Sequence, residues 1–380
     1  MVKENDLTAD MSDMMGGYVA NEEGIDNEDV GLISKPFDPE KIRVKTEPRS
    51  LDLVLKRIKH GEIDLAPEFQ RRARVWSQTK KAQLIESLLL RIPLPVFYVS
   101  AAPNDDWAVV DGLQRLTTIS DFAANDFPLT DLEYLKDMEN LTFAQLPRPL
   151  QRRIEETVIV IHIIEPGTPD DVMINIFKRI NTGGEPLRAQ EIRNALVKGP
   201  AREFLKELAA SSRFLDATGR TVRDTRLDAQ ECVARFCTFF IHPYSDYGDT
   251  DLDSFILKGM QAISAMPNEM RDGLRRSFEH AMDAAAAILG RYAFRKFFEV
   301  DGRRGPVSKA LFEATSVNLA RLPNSEVERL TARKDKVMQA MIRLMKDADF
   351  LGSITSSTGD RLRVHKRFNA IENLLVQVLR

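Results

Sequence analysis

Apolar positions recur along this chain with two different periods, and the change from one to the other divides it. From about residue 42 to 168, short strand-like runs alternate with single helical stripes. Residues 50–60 place Leu51, Val54, Leu55 and Ile58 on one helical face, with Gly61 as a stop. An extended stretch broken by Pro67, IDLAPEFQRRARVW, comes next. Residues 77–91 have the spacing of an amphipathic helix with Leu84, Ile85, Leu88 and Leu89 inward, and the PLP turn at 93–95 ends it. VFYVS, the polar PNDD and the apolar WAVV then read as a hairpin. The run TVIVIHII, 157–164, reads as a buried strand with His162 as a core histidine.

After Pro169 the period is helical and stays so. DDVMINIFKRINTGG sets Val172, Ile176, Phe177 and Ile180 on one face, and Gly183 and Gly184 end it as a C-cap. A second helix is predicted over 188–197, and further ones over 229–240, 251–266, 270–289, 325–345 and 366–379. No repeat of fixed period is present. The pattern predicts an α+β class. An acidic tail covers 1–40, an α+β domain 41–168 and an all-helical domain 169–380.

Composition narrows the setting. The 380 residues are too many for one ordinary core, and 43% hydrophobic with 29% charged residues is the balance of a soluble globular protein. No run of eighteen apolar residues predicts a membrane span, and the acidic start lacks the apolar core of a signal peptide. Cys232 and Cys237 stand five apart in a helix-like stretch. That spacing suits neither a zinc ribbon nor a disulfide scaffold and predicts a cytoplasmic setting. Residues 1–35 hold two lysines and nine carboxylates, so with a whole-chain charge of −3 the remainder is net positive. The acidic segment reads as disordered.

The candidate chemistry sits in WAVVDGLQRLTTISDF, residues 107–122. A strand ends at Asp111, Gly112 turns the backbone, and a helix begins with Leu116, Ile119 and Phe122 on one face. Free N–H groups and the dipole at a helix start favour an anion, and Gly112 permits close approach. Arg115 can add a bidentate grip on phosphate, with Thr117 and Thr118 near the first turn. The competing reading makes Asp111 a plain N-cap and Arg115 a solvated side chain.

Two further polar clusters flank apolar elements: PEFQRRARVW at 67–76 and FKRINTGGEPLRAQEIRNAL at 177–196. With DGLQRLTTI between them, and with QLIESLL and IPLP, the ordered set resembles the N-terminal domain family of GmrSD-type restriction systems. The hallmark of that family is DGQQRLTTL. LFEAT and RFNAIENLL near the end are weaker echoes. The resemblance implies a ParB/sulfiredoxin-like N-terminal domain that binds and hydrolyses a nucleoside triphosphate. It implies Asp111, Gln114 and Arg115 as catalytic residues. Gly112, Thr117, Arg71, Arg179 and Asn181 would bind the nucleotide, with Arg71 facing the centre and Arg179 and Asn181 forming a third wall. Asp111 would hold Mg2+ or orient the attacking water. The departure is Leu113, where the family has glutamine.

No glycine is followed by lysine, so no P-loop competes for the nucleotide. His60, His162, His242, His280 and His365 are scattered, without an HNH nuclease cluster. A separate nuclease subunit is therefore an expected partner, and the oligomeric state stays open. Arg213, Arg220, Arg223 and Arg226, then Arg303 with Arg304, then Arg361 to Arg367, form basic runs that DNA phosphates could use. Ordinary solvated arginine is the alternative. Three functions remain open. They are a nucleotide-hydrolysing component of a restriction or phage-defence system, a self-sufficient endonuclease using the same cleft, and a non-catalytic switch controlling a separate effector.

Overall fold

The computed structural model describes residues 42–65, 76–180, 188–197, 199–248 and 251–380. They form two compact units that meet in the sequence between Leu196 and Val197. The first is α+β and the second is mainly helical; they divide after Leu196 and not at Pro169, where the period changes, because the helices over 170–180 and 189–196 pack on the sheet.

The first unit is built on a mixed five-stranded sheet of β1 (Val44–Ser50), β2 (Ile63–Asp64), β3 (Phe97–Ala101), β4 (Trp107–Asp111) and β5 (Val158–Ile164), in the order β1-β5-β3-β4-β2. β1 runs antiparallel to β5, β5 parallel to β3, β3 antiparallel to β4, and β4 parallel to β2. The β3–β4 hairpin is as the polar PNDD loop predicts. β1 is polar and contains Pro48, so its sequence lacks the usual strand signature. It is an edge strand, where proline and charge are tolerated and discourage further pairing.

Helices α1 (Leu51–Lys59), α2 (Gln78–Leu89), α3 (Leu113–Ala123) and α4 (Arg148–Glu156) share a core with one face of the sheet. Phe97, Val99, Trp107, Val109, Ile159, Ile161 and Ile163 supply the sheet side, and Leu51, Ile85, Leu88, Leu116, Ile119 and Phe122 the helix side. Ser50 and Ser77 cap α1 and α2 through their hydroxyls. Glu86, in QLIESLL, is buried among these apolar residues because it has a local task. Its carboxylate accepts the backbone N–H groups of Glu133, Tyr134 and Leu135 at 3.0, 2.7 and 2.8 Å. Burial pushes its pKa up, but those three bonds more than offset this and hold the carboxyl below its ordinary value.

The alternate sheet face is treated differently along its width. Over β3 and β4 it is covered by α5 (Asp170–Ile180) and α6 (Ala189–Leu196), which pack on β4, and Ser100 Oγ donates to Met173 Sδ at 3.3 Å. Over β5 it is open. Val158 is 62% exposed and Val160 40%. The expectation of a fully buried strand therefore holds for one face only. His162 lies on the open face, half-buried, with its Nδ1 2.7 Å from Thr46 Oγ1, and is not a core residue. The continuous apolar spelling hid the two-residue alternation.

The second unit contains α7 (Pro200–Ala209), α8 (Ser212–Ala217), α9 (Asp228–Ile241), α10 (Leu252–Ala265), α11 (Asn268–Leu289), α12 (Lys309–Ala320), α13 (Asn324–Ala332), α14 (Lys334–Met345), α15 (Ala348–Thr355) and α16 (Arg361–Leu379). It is not all-helical. β6 (Arg295–Phe297) and β7 (Arg304–Val307) form an antiparallel ribbon. The helix predicted over 325–345 is two helices broken at Arg333, whose guanidinium turns to the carbonyls of Val378 and Leu379. Cys232 and Cys237 are buried, free thiols, and burial pushes both pKa values up. Among the described residues no helix is long and apolar enough to cross a membrane.

LFEAT and RFNAIENLL meet inside this unit. Glu313 and Arg367 are both fully buried, and Arg367 Nε donates to Glu313 Oε1 at 2.9 Å. Arg235 Nη1 reaches Glu313 Oε2 at 3.3 Å, and its Nη2 reaches Glu231 Oε1 at 3.0 Å. Lys309 Nζ extends the network to Glu231 at 2.7 Å and Asp228 at 3.5 Å. The charges match one for one, which is what permits them in a helical core.

Candidate functional site

The strand-to-helix turn at Asp111–Gly112 combines local sequence with long-range pairing. β4 is apolar and buried to Val110, then ends in a carboxylate. Gly112 takes φ +96°, a left-handed conformation that a side chain would strain. A Cβ there would also fall 2.3 Å from Phe97 Cδ1 on the neighbouring strand. The glycine therefore serves both the turn and close packing of the helix start on Phe97. Gly112 is itself the N-cap of α3, and no side chain caps that helix. Asp111 is thus not the N-cap, because the turn falls one residue later.

The β3–β4 register shifts between Tyr98 and Val99. Val99 pairs with Val109, but Tyr98 pairs with Asp111. Val110 is the extra residue of a bulge. A regular ladder would set Asp111 against Phe97, on the core face. The bulge sets it against Tyr98 and keeps a carboxylate out of the apolar core.

Arg115, one helical turn on, reaches back to this strand end. Its Nη2 donates to Asp111 Oδ2 at 2.8 Å and to the Val96 carbonyl at 3.1 Å, and its Nη1 donates to the Pro95 carbonyl. The guanidinium stands 4.3 Å from the Phe97 ring centroid. Burial pulls its pKa below the ordinary value, against the opposing pull of Asp111. Arginine remains protonated in any case. Among the described residues three of its five N–H donors are engaged, which leaves Nε and one Nη1 hydrogen. The Asp111 side chain is 36% exposed, so the pair keeps a face toward solvent.

The other expected residues distribute as follows. Gln114 and Thr117 are half-buried on α3. Thr118 faces inward, its Oγ1 buried without a partner. Leu113 packs partly against the core of the unit, which accounts for an apolar residue there. Arg179 is at the exposed end of α5. Arg71 and Asn181 lie outside the described residues. Among those described, no group of three His, Cys, Asp or Glu could hold a metal ion by itself.

Periodicity did not identify α6 as special, yet its polar residues Gln190, Glu191, Arg193 and Asn194 are all buried where the helix packs on β4. Arg193 Nε donates to Gln190 Oε1 at 2.9 Å, and Gln190 Nε2 to Asn194 Oδ1 at 3.0 Å. The signal was the polar spelling RAQEIRNAL on a helix that follows a glycine pair. Tyr98 was missed as well.

Several arginines of the basic runs are engaged internally. Arg213 pairs with Glu279 and Asp283, Arg220 with Asp216, and Arg363 with carbonyls of Gly352 and Ser356. Arg367 is in the buried network.

Residues 51–198 match the family model of the GmrSD restriction endonuclease, N-terminal domain. The matched stretch contains the Asp111–Arg115 turn and all of α1 to α6, and it indicates a component of a restriction or phage-defence system. No curated protein matches the chain.

Proposed function

With a GmrSD-type N-terminal domain in residues 51–198 as the premise, we propose that the Asp111–Arg115 turn holds the phosphates of a nucleoside triphosphate and that the chain hydrolyses it. The observation that carries the reading is the conjunction at one strand end of a left-handed glycine, a helix start without a side-chain cap, and an arginine with two uncommitted N–H groups. Phosphoryl transfer needs positive field on the phosphate oxygens and a positioned water. The α3 start and Arg115 supply the field. Asp111 and Gln114 orient the water. Arg71, Thr117, Arg179 and Asn181 are the remaining nucleotide contacts in this proposal, and the fold is ParB/sulfiredoxin-like.

One carboxylate suits Mg2+ only as an ion that arrives with the triphosphate. Asp111 Oδ1, the oxygen not bonded to Arg115, is the ligand on offer, and the ion would supply further charge neutralisation. DNA and a separate nuclease subunit are the partners this function implies, in a cytoplasmic setting.

A second reading, a switch that binds nucleotide without turnover, is favoured by two observations. Leu113 is turned to the core where the family has glutamine, and Arg115 is held by the protein's own carbonyls. Phosphate release measured for each of the four NTPs, with and without DNA, separates the readings. The expected result is turnover of at least one NTP, reduced about 100-fold or more in Arg115→Ala. Saturable binding without release of phosphate from any NTP rejects hydrolysis and leaves the switch. Undiminished nucleotide binding by Arg115→Ala rejects the site.

A further inference from the structure

Across the alternate face of the sheet, one row of residues leads away from the candidate phosphate site. Asp111 on β4 is paired in register with Tyr98 on β3, Tyr98 with His162 on β5, and His162 with Thr46 on β1. The Tyr98 and His162 rings lie 4.8 Å apart, tilted by 41°. Thr46 Oγ1, 2.7 Å from His162 Nδ1, fixes the imidazole. Among the described residues this leaves His162 Nε2 without a partner. Two residues on from Tyr98, the same face is closed by Met173 of α5 at Ser100, whereas beside His162 it is open at Val160. The aromatic pair thus stands at a step between covered and open sheet, next to the carboxylate that the bulge brought round.

We infer that the base of the bound nucleotide lies on Tyr98, with the His162 edge beside it. This rests on the phosphate reading above and adds to it the element that distinguishes a nucleotide from bare polyphosphate. Neighbouring strands are about 4.8 Å apart, so Tyr98 is one strand spacing and His162 two from Asp111. That is the order of separation a sugar imposes between a phosphate and its base. An aromatic ring offers stacking to any base, and an imidazole edge offers a hydrogen bond that can select among them. A regular β3–β4 ladder would have placed Asp111 opposite Phe97 instead, and the row would not exist.

Calorimetric titration of the full chain with ATP, GTP, CTP, UTP and inorganic tripolyphosphate, each with Mg2+, tests the inference. The wild type is expected to bind at least one nucleotide more tightly than tripolyphosphate. Tyr98→Leu, which keeps apolar volume without a stacking face, should weaken that nucleotide about 5- to 150-fold and leave tripolyphosphate unchanged. Tyr98→Phe should restore the wild-type affinity. Unchanged nucleotide affinity in a folded Tyr98→Leu protein overturns the inference, as does failure of the Phe variant to rescue. Tripolyphosphate binding with no added affinity for any nucleotide overturns the base position and keeps the phosphate site. Binding of neither removes the phosphate reading, and the base position with it.

Discussion

The two units each contain an arginine–carboxylate pair, and the pairs differ in what they leave unsatisfied. In the helical unit Glu313 and Arg367 are wholly shielded from water, and both carboxylate oxygens are occupied by arginines from other helices. In the sheet unit Asp111 and Arg115 are a turn apart on one chain segment, the carboxylate is partly exposed to solvent, and two guanidinium N–H groups have no acceptor among the described residues. The first pair is a closed electrostatic unit whose removal of either member strands a buried charge. The second is an open one, able to exchange a protein partner for a ligand. The same chemistry thus serves cohesion where desolvation is complete and, in the function proposed above, recognition where it is partial.

The sharpest way to break this contrast is Glu313→Gln. It leaves Arg367 and Arg235 buried without their shared anion, and the expected loss of stability is about 3–5 kcal/mol. Thermal or denaturant unfolding measures it. A variant as stable as wild type would show that the network is not closed. Gly112→Ala should act on the other region, by left-handed strain and collision with Phe97, at a cost of about 1–3 kcal/mol. Its nucleotide affinity should fall with it, because the α3 start must shift. A variant that unfolds like wild type and binds like wild type would refute the close-packed turn.

The smallest expected effect concerns Glu86, a buried carboxylate held by backbone N–H groups instead of arginine. Its folded pKa is depressed, so its contribution is fully present above the ordinary carboxylate range and is lost as pH falls through the folded value. The stability difference between wild type and Glu86→Gln should therefore shrink below about pH 4. Unfolding curves at pH 7 and pH 3.5 for both proteins check this. A difference that does not change with pH would mean that Glu86 is not charged in the fold.

The sequence was most legible where a local period carried the information. The stripe Leu51, Val54, Leu55 and Ile58 became α1, and the hairpin of VFYVS and WAVV became β3 and β4. The Gly112 turn was readable too, because strand, glycine and helix start are neighbours in the chain. β1 was not legible, since KTEPRS is a strand only because β5 offers it an edge. Nor was the break at Arg333, which depends on carbonyls more than forty residues away. Glu313 and Arg367 read as ordinary motif letters, and only helix packing brings them to hydrogen-bonding distance.

By itself the chain of residues determined that a strand–glycine–helix turn should stand at 111–115, because backbone geometry and the choice of glycine are local properties. Only the tertiary structure decided what surrounds that turn. The β3–β4 bulge, the Pro95 and Val96 carbonyls that hold Arg115, and the row from Asp111 through Tyr98 to His162 all arise from strand register. Register is set by the pairing of strands distant in sequence. A shift of one residue moves a side chain to the opposite face, so the site's neighbours could not be read before its strands were paired.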